Sequence, residues 1–194
     1  MADAGRVIAG SAKGVRLRAP GPGTRPLSDR VKQTLFGILE PDLPGARVLD
    51  LFAGSGAVGI EGLSRGAGYV VFVERDAGAA AVIQANLRAA RLGGVAAEVV
   101  RADAIAWLRD RPASGEPFDV VVIDPPYADT AALARTLELL GDVSAPVVVG
   151  GRVIAKHFWR DRPPDRIGML SAERDRRFGE TALTFYRREE APTE

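Results

Sequence analysis

Val48-Leu49-Asp50-Leu51-Phe52-Ala53-Gly54-Ser55-Gly56-Ala57-Val58-Gly59 is an apolar run holding one acid, followed by glycines spaced G-x-G-x-x-G. The run reads as a buried strand, and the residues after Gly56 as the start of a helix. Glycines in such a turn let the backbone come close to a ligand and leave helix N–H groups to meet it. The pattern continues outward. Strands are expected at Tyr69 to Val73, Val95 to Val100, Phe118 to Ile123 and Val153 to Ala155. Helices are expected over Ala57 to Arg65, Ala77 to Leu92, around Trp107 and Leu108, and from about Asp129 to Leu140. Strands separated by helices pair in parallel through right-handed crossovers, so the fold class is α/β and Rossmann-like. Two weaker strands, near Ile167 to Leu170 and Ala182 to Tyr186, lack a helix between them and read as an antiparallel hairpin.

A second motif closes the fourth strand: Asp124-Pro125-Pro126-Tyr127. The acid and a proline carbonyl accept hydrogen bonds, the prolines stiffen the turn and remove two donors, and the aromatic ring offers a stacking face. A nucleobase with an exocyclic amine needs that combination. The four residues are therefore the candidate catalytic group.

Taken literally, the glycine turn with Glu74 about 20 residues on is a dinucleotide fingerprint, and a nicotinamide or flavin enzyme is a rival reading. Two features favour a methyl donor. Asp50, ahead of the first glycine, would repel a pyrophosphate but suits the cationic S-adenosylmethionine. Asp124 to Tyr127 has no obvious use in hydride transfer. Asp103, after the third strand, is placed to accept from an adenine amine. Cofactor contacts are thus expected of Asp50, Phe52, Ala53, Gly54, Ser55 and Gly56, and of Glu74, Arg75, Asp103 and Ala104 at the ends of neighbouring strands.

The 194 residues fit one ordinary domain, and 46% hydrophobic content suffices for a core. No apolar run approaches the roughly 18 residues of a membrane span, and Met1 to Arg6 has no signal-peptide character, so a cytoplasmic protein is expected. With no cysteine and one histidine, thiolate and multi-histidine metal sites are excluded and no metal is expected. Net charge is +1, but residues 1–36 carry +5. Val7-Ile8-Ala9 and Val15-Arg16-Leu17 flank a glycine-bearing turn and read as a β-hairpin. Pro20 to Pro26 reads as a linker, and Ser28 as the cap of a helix bearing Val31, Leu35, Ile38 and Leu39. The arm is expected to face a polyanion, with Arg6, Lys13, Arg16, Arg18, Arg25 and Arg30 as nucleic-acid contacts, or with Arg25, Asp29 and Arg30 closing over the cofactor instead. The expected organisation is a basic extension over residues 1–26, a catalytic domain over 27–188 and a frayed tail over 189–194.

These residues resemble a known family. Val48 to Gly56 is similar to motif I of class I S-adenosylmethionine-dependent methyltransferases, and Asp124 to Tyr127 to motif IV of their amino-group branch. Arg6-Val7-Ile8-Ala9-Gly10 with Lys13-Gly14, and Thr24 to Phe36, resemble the N-terminal signature of the bacterial 16S rRNA guanine-N2 methyltransferases that modify guanine 966. Arg177-Phe178-Gly179-Glu180-Thr181 is similar to the family's ending, which usually has Tyr before that Gly. The resemblance implies a class I methyltransferase fold, a seven-stranded, mostly parallel sheet with its last strand antiparallel, plus the small N-terminal hairpin. It also implies 16S rRNA as partner, in an assembling small subunit, with a monomer as the default. Gly141 to Gly151 and His157-Phe158-Trp159 fit no part of the pattern.

Three other functions share some of these features: a DNA adenine or cytosine amino methyltransferase, an amino methyltransferase acting on another RNA, and a cofactor-binding assembly factor without turnover. Elsewhere the plain readings hold. Glu61 and Arg65 are expected as helix-surface charges, Trp107 in the core and His157 at a strand end. Trp159 is expected either to stack a base or to cover apolar surface, and Arg174, Arg176 and Arg177 to meet RNA or to form a solvated turn.

Overall fold

Ser28 accepts a hydrogen bond from the Val31 N–H (3.4 Å) and opens helix α1 (Asp29–Leu39), with Asp29 favourable in its first turn. Helix α3 (Ala77–Ala90) opens in the same way, on Asp76 accepting from Ala79 N–H at 2.7 Å. Helix α5 (Thr130–Gly141) opens on Asp129 accepting from Ala132 N–H at 3.0 Å. The computed structural model describes residues 3–21, 27–93, 96–111 and 115–191. Two units divide the chain, Met1–Asp103 and Ala104–Glu194.

In the first unit a hairpin of β1 (Asp3–Arg6) and β2 (Arg16–Arg18) precedes α1. Strands β3 (Arg47–Leu51), β4 (Tyr69–Glu74) and β5 (Ala97–Arg101) follow, all parallel, with β4 in the middle. They are joined by α2 (Ala57–Ser64) and α3. Every residue of α2 is buried, which suits its apolar and glycine-rich sequence. The stripe Ala80, Ile83, Leu87 and Ala90 is buried on α3 as its spacing requires.

The second unit begins with α4 (Ala104–Asp110) and holds β6 (Phe118–Ile123), α5 and β7 (Val147–Phe158), with β6 and β7 parallel. Three further strands are antiparallel: β8 (Arg166–Ile167), β9 (Leu170–Phe178) and β10 (Thr181–Arg188). The order is β6-β7-β10-β9-β8, so the last strand lies reversed against β7. This is the α/β arrangement with a reversed final strand that the sequence implies.

Three details differ from the sequence reading. The first hairpin reaches back to Asp3–Arg6 and pairs at Val7, whose N–H donates to Val15 O at 2.9 Å, whereas Ile8 and Ala9 turn their N–H groups to the Glu61 carboxylate instead. Strand β7 is twelve residues long, not three. Its pairing slips between Phe118–Val147 and Val120–Arg152, and Gly150 (φ +77°) sits inside the slip. The charged run Leu170–Phe178 is a full strand, whereas Ile167 to Leu170 was expected to carry that part of the sheet.

Candidate functional site

Asp50, the penultimate residue of β3, is 1% exposed, and its Oδ2 accepts from Gly59 N–H at 2.9 Å in the first turn of α2. The carboxylate therefore caps the helix whose N-terminus the glycine turn presents. Glu74, half-buried at the end of β4, accepts from Gly54 N–H and from Asp76 N–H, both at 2.8 Å. The turn between them is tight. Phe52 is held at φ +61° and Gly56 at φ +74°; a side chain at Gly56 would press on Ile83 at 3.0 Å. At Gly59 an added Cβ would lie 2.3 Å from the Phe72 ring, so helix and strand approach as closely as glycine allows.

These bonds discriminate between the two cofactor readings. The N–H groups of Gly54 and Gly59, which a pyrophosphate would be expected to take, already point at carboxylates. An anionic ligand at this turn would face two acids; a cationic one is favoured by both. The residues present thus fit S-adenosylmethionine better than a dinucleotide. Ala53 is buried, Ser55 half-buried, and Arg75 and Asp103 are exposed beyond their strands. Ala104 is buried in the second unit, at the start of α4.

The sequence reading missed a side chain that braces this turn. Asn86 on α3 donates to the carbonyls of Ser55 and Arg18 and accepts from Arg18 N–H, all at 2.9 Å. It ties β2 to the glycine turn. Glu61 makes a second tie and corrects the expectation of a surface charge. It is fully buried on α2 and accepts from Ile8 N–H (2.7 Å), Ala9 N–H (3.0 Å) and Arg65 Nε (2.7 Å). Ser64 adds a third, accepting from Ala12 N–H at 2.9 Å and donating to Ala9 O at 2.6 Å. An acid on a helix can be read as solvated unless the partner lies far away in sequence, and no local pattern marks these contacts.

Arg6, Lys13, Arg16, Arg18 and Arg30 are exposed, as nucleic-acid contacts must be. Arg6 pairs with Asp29 and Arg16 with Asp3, each at 3.2 Å and solvent-accessible. Lys32, counted in the basic arm by sequence, is instead buried under the hairpin. Its Nζ donates to Arg6 O at 2.5 Å, and burial lowers its pKa. Arg25 lies outside the described residues.

In the second unit, Asp124 and Pro125 follow directly on β6; Pro125 is buried, Tyr127 half-buried and Pro126 exposed. Asp124 is ion-paired with Lys156 of β7, whose side chain is 9% exposed. The Lys156 ammonium also lies 4.8 Å from the centroid of the Tyr127 ring. Burial raises the Asp124 pKa, and Lys156 opposes the shift by charge and hydrogen bond. The Tyr127 hydroxyl shares a 2.5 Å hydrogen bond with Thr181 Oγ1 at the start of β10. Lysine and threonine thus anchor the acid and the ring of the motif. Sequence reasoning found neither, because both reach the motif through strand pairing.

Residues 5–187 match the model of a family described as conserved hypothetical protein 95. The chain belongs to that family. It is 37% identical over 184 residues to the candidate rRNA methyltransferase YlbH of Bacillus subtilis, covering 94% of this chain and 98% of that protein. It is 39% identical over 138 residues to ribosomal RNA small subunit methyltransferase D of Escherichia coli, covering 71% and 67%. Among solved structures, the candidate methyltransferase yhhF of Escherichia coli superposes with a TM-score of 0.83 at 32% identity, covering 95% and 97% of the two chains. The superposition shows a shared α/β fold along nearly the whole chain. Among the described residues no helix is long and apolar enough to cross a membrane, and no three acidic or histidine side chains are placed to hold a metal.

Proposed function

We propose that the protein transfers the methyl group of S-adenosylmethionine to the exocyclic N2 of a guanine in 16S rRNA, with guanine 966 as the target. The observation that carries the reading is Asp124 and Tyr127, held at the end of β6 by Lys156 and Thr181. The names of the small-subunit methyltransferase relatives support the choice of substrate.

S-adenosylmethionine supplies an electrophilic sulfonium methyl. Asp50 and Glu74 provide the negative potential that suits it, and Glu74 and Asp103 offer acceptors for its ribose and adenine. Phe52, Ala53, Gly54, Ser55 and Gly56 shape the turn beside it. The remaining chemistry belongs to the acceptor. The guanine N2 lone pair is delocalised into the ring, so the amine must be oriented before it can attack. Asp124 and the Pro125 carbonyl accept its N–H groups, and Tyr127 stacks on the base. Asp124, or water, takes the proton after attack. Catalysis is then mostly positioning and electrostatics. The base must leave its stack, which costs a few kcal/mol in a duplex and less in a loop.

The exposed arginines and lysine of the hairpin are assigned to rRNA phosphates, in an assembling small subunit in the cytoplasm, with one copy of the chain as the working unit. The organisation that goes with this is a basic extension over residues 1–26 and a catalytic domain over 27–188. Calorimetry with S-adenosylhomocysteine and single-turnover methylation of small subunits test the roles together. Asp124→Ala should retain the cofactor within a few-fold and lose methyl transfer by about a hundredfold or more, as for a lost transition-state contact. Equal losses in the two measurements would remove Asp124 from the acceptor role.

A further inference from the structure

We infer that Trp159, Arg160 and Arg177 form a second RNA-binding surface, one that grips the unpaired strand flanking the target base. The inference rests on the rRNA reading above. Trp159 follows directly on β7 and is half-exposed. Its backbone N–H donates to Glu180 O at 3.0 Å, which ties the chain there to the β9–β10 turn. The Arg177 guanidinium lies 3.7 Å from the centre of its ring and that of Arg160 4.9 Å. Arg177 is oriented by its Nε donating to Gly179 O at 2.9 Å.

Charge makes this more than a stabilising stack. The acids of the hairpin are largely spent. Glu173 pairs with Arg152 and Arg187, and Asp175 with Arg162, which also holds Asp165. Among the described residues, exposed Arg160, Arg174, Arg176 and Arg177 have no carboxylate partner. Only Asp161 and Glu180 stand near them in the chain without an ion pair. The guanidinium groups of Arg160 and Arg177 flank the half-exposed indole and repel one another unless an anion joins them. Guanidinium planes and an indole face stack unpaired bases, and the same guanidinium groups bind phosphate. The surface lies at the same end of the ladder as the residue that anchors the acceptor motif. Thr181, which holds the Tyr127 hydroxyl, pairs in the ladder with Phe158 on one side and Phe178 on the other. A strand whose target base lies on Tyr127 would run its neighbouring nucleotides past Trp159.

The full chain should be titrated with two probes, a naked 16S rRNA fragment spanning the target and small subunits from cells lacking the modification. Trp159→Ala should weaken binding of both probes and raise the KM for RNA by about tenfold, while S-adenosylhomocysteine affinity is retained. Trp159→Phe should recover most of the loss, and thermal unfolding of each variant reports folding. Arg160→Gln with Arg177→Gln should lower the slope of log affinity against log salt by about 1.4, as for two lost contacts to a single strand. Unchanged affinity and slope in these variants, with an active wild type, would overturn the surface and leave the methyltransferase reading standing. Loss for the particle but not for naked RNA would also overturn it, in favour of a protein contact. A wild type that neither binds RNA nor methylates it would overturn both.

Discussion

Lys156 bears on both groups of the acceptor motif, pairing with Asp124 and facing the Tyr127 ring. A carboxylate that accepts N–H groups must be ionised, yet burial pushes the Asp124 pKa up and Lys156 pulls it back. A carboxyl whose folded pKa lies above its unfolded value destabilises the fold as pH rises between the two. The same raised pKa means that kcat/KM should fall on acidification at a pH above the usual carboxylate range. Lys156→Met should move that acidic limb to higher pH, because the opposing charge is gone. It should also cost about 3 kcal/mol in urea unfolding at neutral pH, the low end for breaking a buried pair, since Asp124 keeps 20% of its side chain exposed. An unmoved pH profile would leave Lys156 with a packing role only. Tyr127→Phe keeps the ring but leaves Thr181 without its 2.5 Å partner. The KM for RNA should rise a few-fold, and Tyr127→Ala should cost at least ten times more in kcat/KM. If Phe proved as damaging as Ala, the hydroxyl rather than the stacking face would be the functional group.

Elements in this fold are set by spacing where the partner is local and by distant contacts where it is not. The strand–turn–helix around Gly54 was legible because apolar runs and glycine spacing are local signals, and Asp50 and Glu74 could be placed at strand ends from them. Strand β9 was illegible as a strand, since Ser171 to Arg177 holds five charges and its support comes from cross-strand pairs such as Arg187–Glu173 at 2.7 Å. Glu61 was misread for the same reason: its partners are some fifty residues away in the hairpin. Two substitutions test this level. Gly59→Ala puts a methyl 2.3 Å from the Phe72 ring and should cost about 2–3 kcal/mol by overpacking, read from chemical unfolding. Glu61→Ala leaves two backbone N–H groups and Arg65 unmatched. Amide exchange at Ile8 and Ala9 should speed up at least tenfold, well beyond any change in the parallel strands. Equal acceleration everywhere would mean that the hairpin unfolds only with the rest.

At the scale of the molecule the residues proposed for the cofactor lie mainly in Met1–Asp103 and the proposed acceptor motif in Ala104–Glu194. The basic hairpin is bound into the first unit by Glu61, Ser64 and Asn86, so its charges are presented on a fixed support. A net charge of +1 hides this, because +5 lies within the first 36 residues. Binding of S-adenosylhomocysteine at a hundred times its Kd should add about 2.7 kcal/mol of stability, visible as a rise in Tm, whereas NADH should add none. The most direct trial of the central claim is transfer of labelled methyl to small subunits from unmodified cells, followed by mass mapping of the labelled nucleotide. The account predicts label on the exocyclic nitrogen of one guanine in 16S rRNA, absent with Asp124→Ala. Label on a ribose, on a ring nitrogen, or equally in both proteins would contradict it.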